Sequence, residues 1–182
     1  MVEVLMINGS HRNDGNTAIL LSYIEKGAAS QGGDIEHIRL SDLRLEPCTY
    51  CLKCQRTGRC DKNDDIEIIL HAGLKARNIV LGTPISNWFI SSFMKLMLDR
   101  EILYQKGVFE NTGIVFALLM EPEQDKTLSC MLNILMRIVK HGKMHYKGKI
   151  IASGVLEIGD LDKLDDFKDE AIRLGQSLIA RI

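Results

Sequence analysis

The sequence predicts a doubly wound α/β domain. A five-stranded parallel sheet in the order 2-1-3-4-5 carries helices on both faces, making a three-layer sandwich. Two observations predict it. Short apolar runs bounded by turn residues recur along the 182 residues. Segments with helical spacing separate them, and that alternation calls for parallel strands with right-handed crossovers. No internal repeat or low-complexity linker divides the chain. Residues 1–182 therefore read as one domain with a cysteine-rich loop at 41–63.

Val2 to Ile7 is the first strand, apolar enough to be buried on both faces, and it stops at Asn8-Gly9-Ser10. Asn16 to Ser30 is the first helix, with Ala18, Leu21, Ile24 and Ala28 as its inward stripe. Gly32-Gly33 ends it. Asp34 to Leu40 is the second strand, placed at a sheet edge by its polar residues. Ser41 to Asn63 is a long connection, of a length usually reserved for function. Asp64 is the expected N-cap of the next helix, with Glu67 at the capping-box position and Ile66, Ile69, Leu70 and Leu74 apolar. Asn78 to Thr83 is the third strand. A helix over 91–104 turns Phe93, Leu96, Met97 and Leu98 inward. Gly113 to Met120 is the fourth strand and the most hydrophobic stretch. Thr127 to Lys140 is a helix, Lys149 to Leu156 the fifth strand, and Leu161 to Ile182 the closing helix.

The first loop is the chemical centre. Gly9 to Thr17 runs from the end of a buried strand into a helix start. A loop there aims backbone N–H groups and the positive end of a helix dipole at one point, which suits an anion. Ser10 and Thr17 add hydroxyls, Asn16 an amide, and Arg12 a guanidinium that pairs bidentately with phosphate. The loop is neither GxGxxG nor GxxxxGK[ST]. The plain alternative is a turn with Asn16 or Thr17 as N-cap.

The pattern Gly-Ser-x-Arg-x-x-Gly-Asn-Thr over Gly9 to Thr17 resembles the FMN-phosphate loop of the flavodoxin-like NADPH-dependent FMN reductases. The resemblance implies that Ser10, His11, Arg12, Gly15, Asn16 and Thr17 bind FMN. In that fold order the flavin lies at the switch point between the first and third strands. Pro84, Ile85, Ser86, Asn87 and Trp88 follow the third strand and are expected to line the ring. Ser86 stands where the family often has tyrosine, and Trp88 is the nearby aromatic substitute. Where the reductases often carry a glycine-rich loop after the fourth strand, this chain has Glu121 to Asp125.

Cys48-x2-Cys51-x2-Cys54-x5-Cys60 packs four cysteines into thirteen residues. Zinc ribbons usually separate two CxxC pairs by a dozen residues or more. The compact run is closer to the ferredoxin ligand spacing of a [4Fe-4S] cluster. Lys53, Arg56, Arg59 and Lys62 would offset the charge of such a cluster. Zinc, a disulfide pair and thiols left from a lost cluster are the alternatives. Together with the first loop, the spacing resembles the iron–sulfur flavoproteins of anaerobes, over most of residues 1–100. That resemblance implies electron transfer between FMN, a cluster and a partner such as ferredoxin or NAD(P)H. It also implies a homodimer or homotetramer. A cluster-free NAD(P)H-dependent FMN or quinone reductase is the rival reading, and a metal-stabilised binding module without turnover a third. No side chain is assigned acid–base or nucleophilic catalysis, because the cofactors carry the chemistry.

Other features carry less. His141 and His145 have helical metal-pair spacing but are interrupted by Gly142, and read as a solvated turn. Arg137, Lys140, Lys143, Lys147 and Lys149 form a basic run, either solvated or a patch for an acidic protein. Cys130, in an apolar helix, reads as a core thiol. No G-x-S-x-G elbow supports a hydrolase. A net charge of −1 gives no support for bulk nucleic-acid binding, and no apolar stretch is long enough to span a membrane. A strand starting at Val2 leaves no room for a leader, so a cytoplasmic protein is expected.

Overall fold

A computed structural model describes residues 2–121, 125–164 and 166–179. Its sheet starts with β1 (Val2–Asn8), followed by α1 (Asn16–Ser30) and β2 (Ile35–Arg39). After a 3₁₀ turn at Leu40–Asp42, the cysteine loop contains the short helix α2 (Lys53–Thr57). Then come α3 (Ile66–Gly73), β3 (Ala76–Ser86), β4 (Phe89–Ile90), α4 (Ser92–Leu98) and α5 (Glu101–Gln105). β5 (Gly113–Met120), α6 (Asp125–His141), β6 (His145–Ser153), a 3₁₀ turn at Asp160–Lys163 and α7 (Phe167–Ile179) complete the order.

The parallel strands run β2-β1-β3-β5-β6, the expected order; β4 forms a small antiparallel hairpin on the end of β3. Val4 pairs with Ile35 on one side of β1 and with Asn78 on the other. All eight residues of β5 are buried, as a central parallel strand requires. Alternation along the strands divides the core into two layers. Leu5, Ile7, Ile79, Leu81, Ile114 and Phe116 face α3, α4, α5 and α6. Val4, Met6, Val80, Val115 and Ala117 face α1 and α7.

Several local expectations are corrected. The helix expected over 91–104 is two helices, because Arg100 is extended (φ −79°, ψ 100°) and restarts the chain as the N-cap of α5. The N-cap of α3 is Asp65, not Asp64, whose carboxylate is held by Arg100 and reaches the Ile66 N–H only at 3.4 Å. Leu74 lies just beyond the end of α3 and is exposed. β6 starts at His145, not Lys149, because a bulge between Tyr146 and Gly148 absorbs Lys147, and it ends before Gly154 turns at φ 80°. The closing helix starts at Phe167. Before it the chain makes a 3₁₀ turn held by buried Leu161, then reverses at Asp166 with φ 57°. Residues 180–182, assigned to that helix from the sequence, lie outside the described residues. Cys130 is exposed, since α6 buries Met131, Leu135 and Val139 on the opposite face. Ala18 is only half-buried, and Leu20 and Tyr23 share the stripe of α1 in its place.

Candidate functional site

A cleft of about 330 Å³ opens at the carboxyl ends of β1, β3, β5 and β6. Ser10, His11, Arg12, Gly15, Asn16 and Thr17 line one end of it. Pro84, Ile85, Ser86 and Asn87 line a side. The first loop and the stretch after Thr83 therefore meet in one place, though the latter is not the loop expected from the sequence: Pro84, Ile85 and Ser86 continue β3 into its hairpin with β4. Trp88 is not among the lining residues; it sits at the hairpin tip, 65% exposed. Both tip residues have positive φ (Asn87 48°, Trp88 64°), as tight two-residue hairpin loops often require.

The loop is built from below. The Asn8 side chain accepts the Ser10 N–H at 2.8 Å, and Ser10 Oγ accepts the Arg12 N–H at 3.1 Å. Gly15 is the N-cap of α1 and its carbonyl accepts the Ala18 N–H at 2.9 Å, which leaves the Asn16 and Thr17 amides at the cleft without intrahelical acceptors. His11 turns sideways out of the loop: its Nε2 lies 3.0 Å from Ser92 Oγ and its ring packs on Phe93 at 4.5 Å. Beneath the loop is a buried network that the sequence did not reveal. Ser91 Oγ donates to the Gly9 carbonyl at 2.6 Å and accepts from Met94 N at 3.2 Å, capping α4. Thr83 Oγ1 accepts the Ser91 N–H at 3.1 Å. Gly9 is needed because a Cβ there would lie 3.0 Å from Met94 Cβ and 3.1 Å from Ser91 Oγ.

Leu119, Met120, Glu121, Val155 and Leu156 also line the cleft and were missed. The rule that ligands sit beyond the carboxyl ends of such strands pointed at Leu119–Glu121. The loop after β6 was hidden because the strand was extended through it. Residues 122–124, part of the Glu121–Asp125 loop read from the sequence, lie outside the described residues. Asp160 fixes the β6 loop: its Oδ2 accepts N–H groups from Leu156 at 3.1 Å and Glu157 at 2.7 Å. The Lys163 ammonium and those amides draw its pKa from 3.8 down to about 2. Depression of an acid's folded pKa means its anchoring is fully present above pH 3.8 and is lost as pH falls to about 2. In an NMR acid titration the Leu156 and Glu157 amide signals should shift with a midpoint near pH 2; a midpoint near 4 contradicts the anchor.

The cysteine loop forms a second cavity. Cys48, Cys51, Cys54 and Cys60 all line it, with Tyr50, Leu52, Asp61, Lys62, Arg100 and Glu101 among the other walls. Cys54 is buried, Cys51 exposed, and Cys48 and Cys60 half-buried. Tyr50 and Leu52, on either side of Cys51, hold left-handed backbone (φ 53° and 58°), uncommon for such side chains. Burial and the nearby Glu101 carboxylate push the Cys54 thiol pKa up. Among the described residues no three His, Cys, Asp or Glu side chains stand close enough together to hold a single metal ion.

Arg100 is fully buried and was not anticipated. Its guanidinium grips Asp64 with both terminal nitrogens. It also donates to the Glu46 carbonyl and to Cys60 Sγ, each at 3.1 Å. Burial opposes the Asp64 charge, but hydrogen bonds from Arg100 and the Glu46 N–H outweigh it and hold the carboxyl below its ordinary pKa. Burial likewise opposes the charge on Arg100, and Asp64 and Cys60 outweigh it. Asp65 fastens the start of the loop by accepting the Arg44 N–H at 2.7 Å. His141 ends α6 with its ring against Tyr104 at 4.8 Å.

A parallel sheet with this strand order, with its first loop opening on a cleft at the carboxyl ends of the strands, defines a flavodoxin-like α/β protein. The model of the NADPH-dependent FMN reductase family matches residues 2–120, and the chain belongs to that family. An iron–sulfur flavoprotein of Methanocaldococcus jannaschii is 35% identical over 99 residues, 54% of this chain and 51% of that protein. The chain thus spans about half the length of that relative. An iron–sulfur flavoprotein of Archaeoglobus fulgidus is 25% identical over 163 residues, 86% of this chain and 71% of that protein. Among solved structures, an FMN-dependent NADH-azoreductase of Bacillus anthracis in complex with FMN has the same fold. Its TM-score is 0.74 at 14% identity, covering 97% of this chain and 99% of the other.

Proposed function

We propose that this chain transfers electrons between FMN in the first cleft, a [4Fe-4S] cluster on Cys48, Cys51, Cys54 and Cys60, and a redox partner such as NAD(P)H or ferredoxin. The observation that carries the reading is that all four thiols of one short loop line one cavity, with Arg100 donating to one sulfur. A cluster spaces its thiolates around a whole cage, whereas a single ion draws them together. Four thiols in one loop match the ligand number of such a cluster. Arg100 and Lys62 beside the thiols offset negative charge. The left-handed residues around Cys51 orient the loop before any group binds.

The first cleft fits FMN by its chemistry. Donors gather at one end, and Pro84, Ile85, Leu119 and Met120 give an apolar wall at the side. When bound, FMN supplies one- or two-electron chemistry and the cluster one-electron chemistry. The residues bind, orient and exclude water; none is asked to move a proton. Arg12→Ala should weaken FMN binding by about 1.5–3 kcal/mol, the size of a lost charge-assisted hydrogen bond. Fluorescence titration measures it, and unchanged affinity removes Arg12 from the site.

With no three-ligand metal group among the described residues, a cluster-free NAD(P)H-dependent reductase is the second reading. An absorption spectrum of anaerobically purified protein separates the readings. Flavin bands with a broad iron–sulfur shoulder support the first. Flavin bands alone support the second, and neither supports a binding module. The homo-oligomer implied by the resemblance is tested by light scattering.

A further inference from the structure

We propose that the loop from Gly154 to Gly159 is the specificity wall of the flavin cleft: pinned across its anionic end, it admits a flavin ending in a monophosphate and excludes one that continues beyond it. The proposal deepens the FMN reading and rests on it. The loop leaves β6 and turns back at two glycines with left-handed backbone, Gly154 (φ 80°) and Gly159 (φ 88°). The Gly154 N–H donates to the Met120 carbonyl at 2.9 Å, which joins the loop to the end of β5. Val155 and Leu156 then line the cleft.

Three hydrogen bonds tie the loop to the two side chains at the anionic end. Arg12 Nη1 donates to the Leu156 carbonyl at 3.0 Å. Asn16 Nδ2 donates to the Glu157 carbonyl at 2.7 Å, and Asn16 Oδ1 accepts the Gly159 N–H at 3.0 Å. Asn16 is therefore a positioning residue, with its amide given to the loop on both sides. Arg12 spends one of its five N–H groups on the loop and keeps the others for a phosphate. A flavin that continues past its first phosphate into a second phosphate and a nucleoside needs the space this loop closes. Admitting it requires breaking the ties to Arg12 and Asn16. Asp160 stands behind the loop, outside the cleft lining, and holds the Leu156 and Glu157 amides from there.

The test compares dissociation constants for FMN and FAD by flavin fluorescence, using the full chain. The unmodified protein should prefer FMN by at least about tenfold, given three hydrogen bonds each worth several-fold. Asp160→Ala, which leaves every cleft side chain unchanged and removes only the hold on the Leu156 and Glu157 amides, should shrink that preference by about fivefold or more. Asp160→Asn keeps an acceptor oxygen and should restore most of it. FAD binding within about twofold of FMN in the unmodified protein overturns the proposal, as does an unchanged ratio in Asp160→Ala. Binding of neither flavin overturns the FMN reading itself. Should Asp160→Ala not fold, amide exchange on the unmodified protein decides. FMN should slow exchange at Leu156, Glu157 and Gly159, and no slowing overturns the proposal.

Discussion

Asp64→Ala should lower the unfolding free energy by about 3–5 kcal/mol, the usual cost of leaving one partner of a buried ion pair alone. Arg100 is fully buried, and Asp64 is its only carboxylate partner among the described residues. Removing that carboxylate strands a guanidinium in the core and releases the Glu46 N–H that Asp64 also accepts. Urea denaturation followed by circular dichroism measures the loss. A double variant, Asp64→Leu with Arg100→Met, should recover much of it, because well-packed apolar replacements of buried ion pairs are often neutral. A single-variant loss below about 1 kcal/mol contradicts the account.

Replacing any one of Cys48, Cys51, Cys54 and Cys60 by alanine should remove or degrade the iron–sulfur chromophore while FMN stays bound. The two cavities share no lining residue, so losing a thiol leaves the flavin cleft's own donors in place. Iron and acid-labile sulfide per chain, read beside the flavin band, check it. Transfer to one-electron acceptors should slow. Full one-electron transfer in a variant lacking all four cysteines ends the cluster reading.

The sheet order, the bounds of α1 and the meeting of the Gly9 loop with the Pro84 stretch were legible because each rests on local pattern. A central strand must be apolar throughout, and a loop between strand and helix must show its donors. What escaped depends on long-range partners. Arg100 sits in a charged-looking Asp99-Arg100-Glu101 stretch, and nothing local shows that only its side chain turns inward to meet Asp64. Asp64 carries an N-cap signature, but its carboxylate is held by that guanidinium. The loop after β6 escaped because the Gly148 bulge moves the strand toward its start, and no apolar count detects a bulge. Cys130 was misplaced because α6 has apolar residues on more than one face, with Ile134 and Met136 also exposed.

Helix α4 has seven residues and is about 10 Å long. At its start Ser91 is bonded to Gly9, under the first loop. Just past its end Arg100 is bonded to Cys60 and to the Asp64 that fastens the cysteine loop. It thus acts as a short strut clamped at both ends, one clamp per cavity. A bonded path runs from Cys60 through Arg100 and α4 to Ser91 and the Gly9 carbonyl beneath the first cleft. Occupancy of the thiols is therefore expected to register in the flavin's spectrum even where no atom of one centre touches the other.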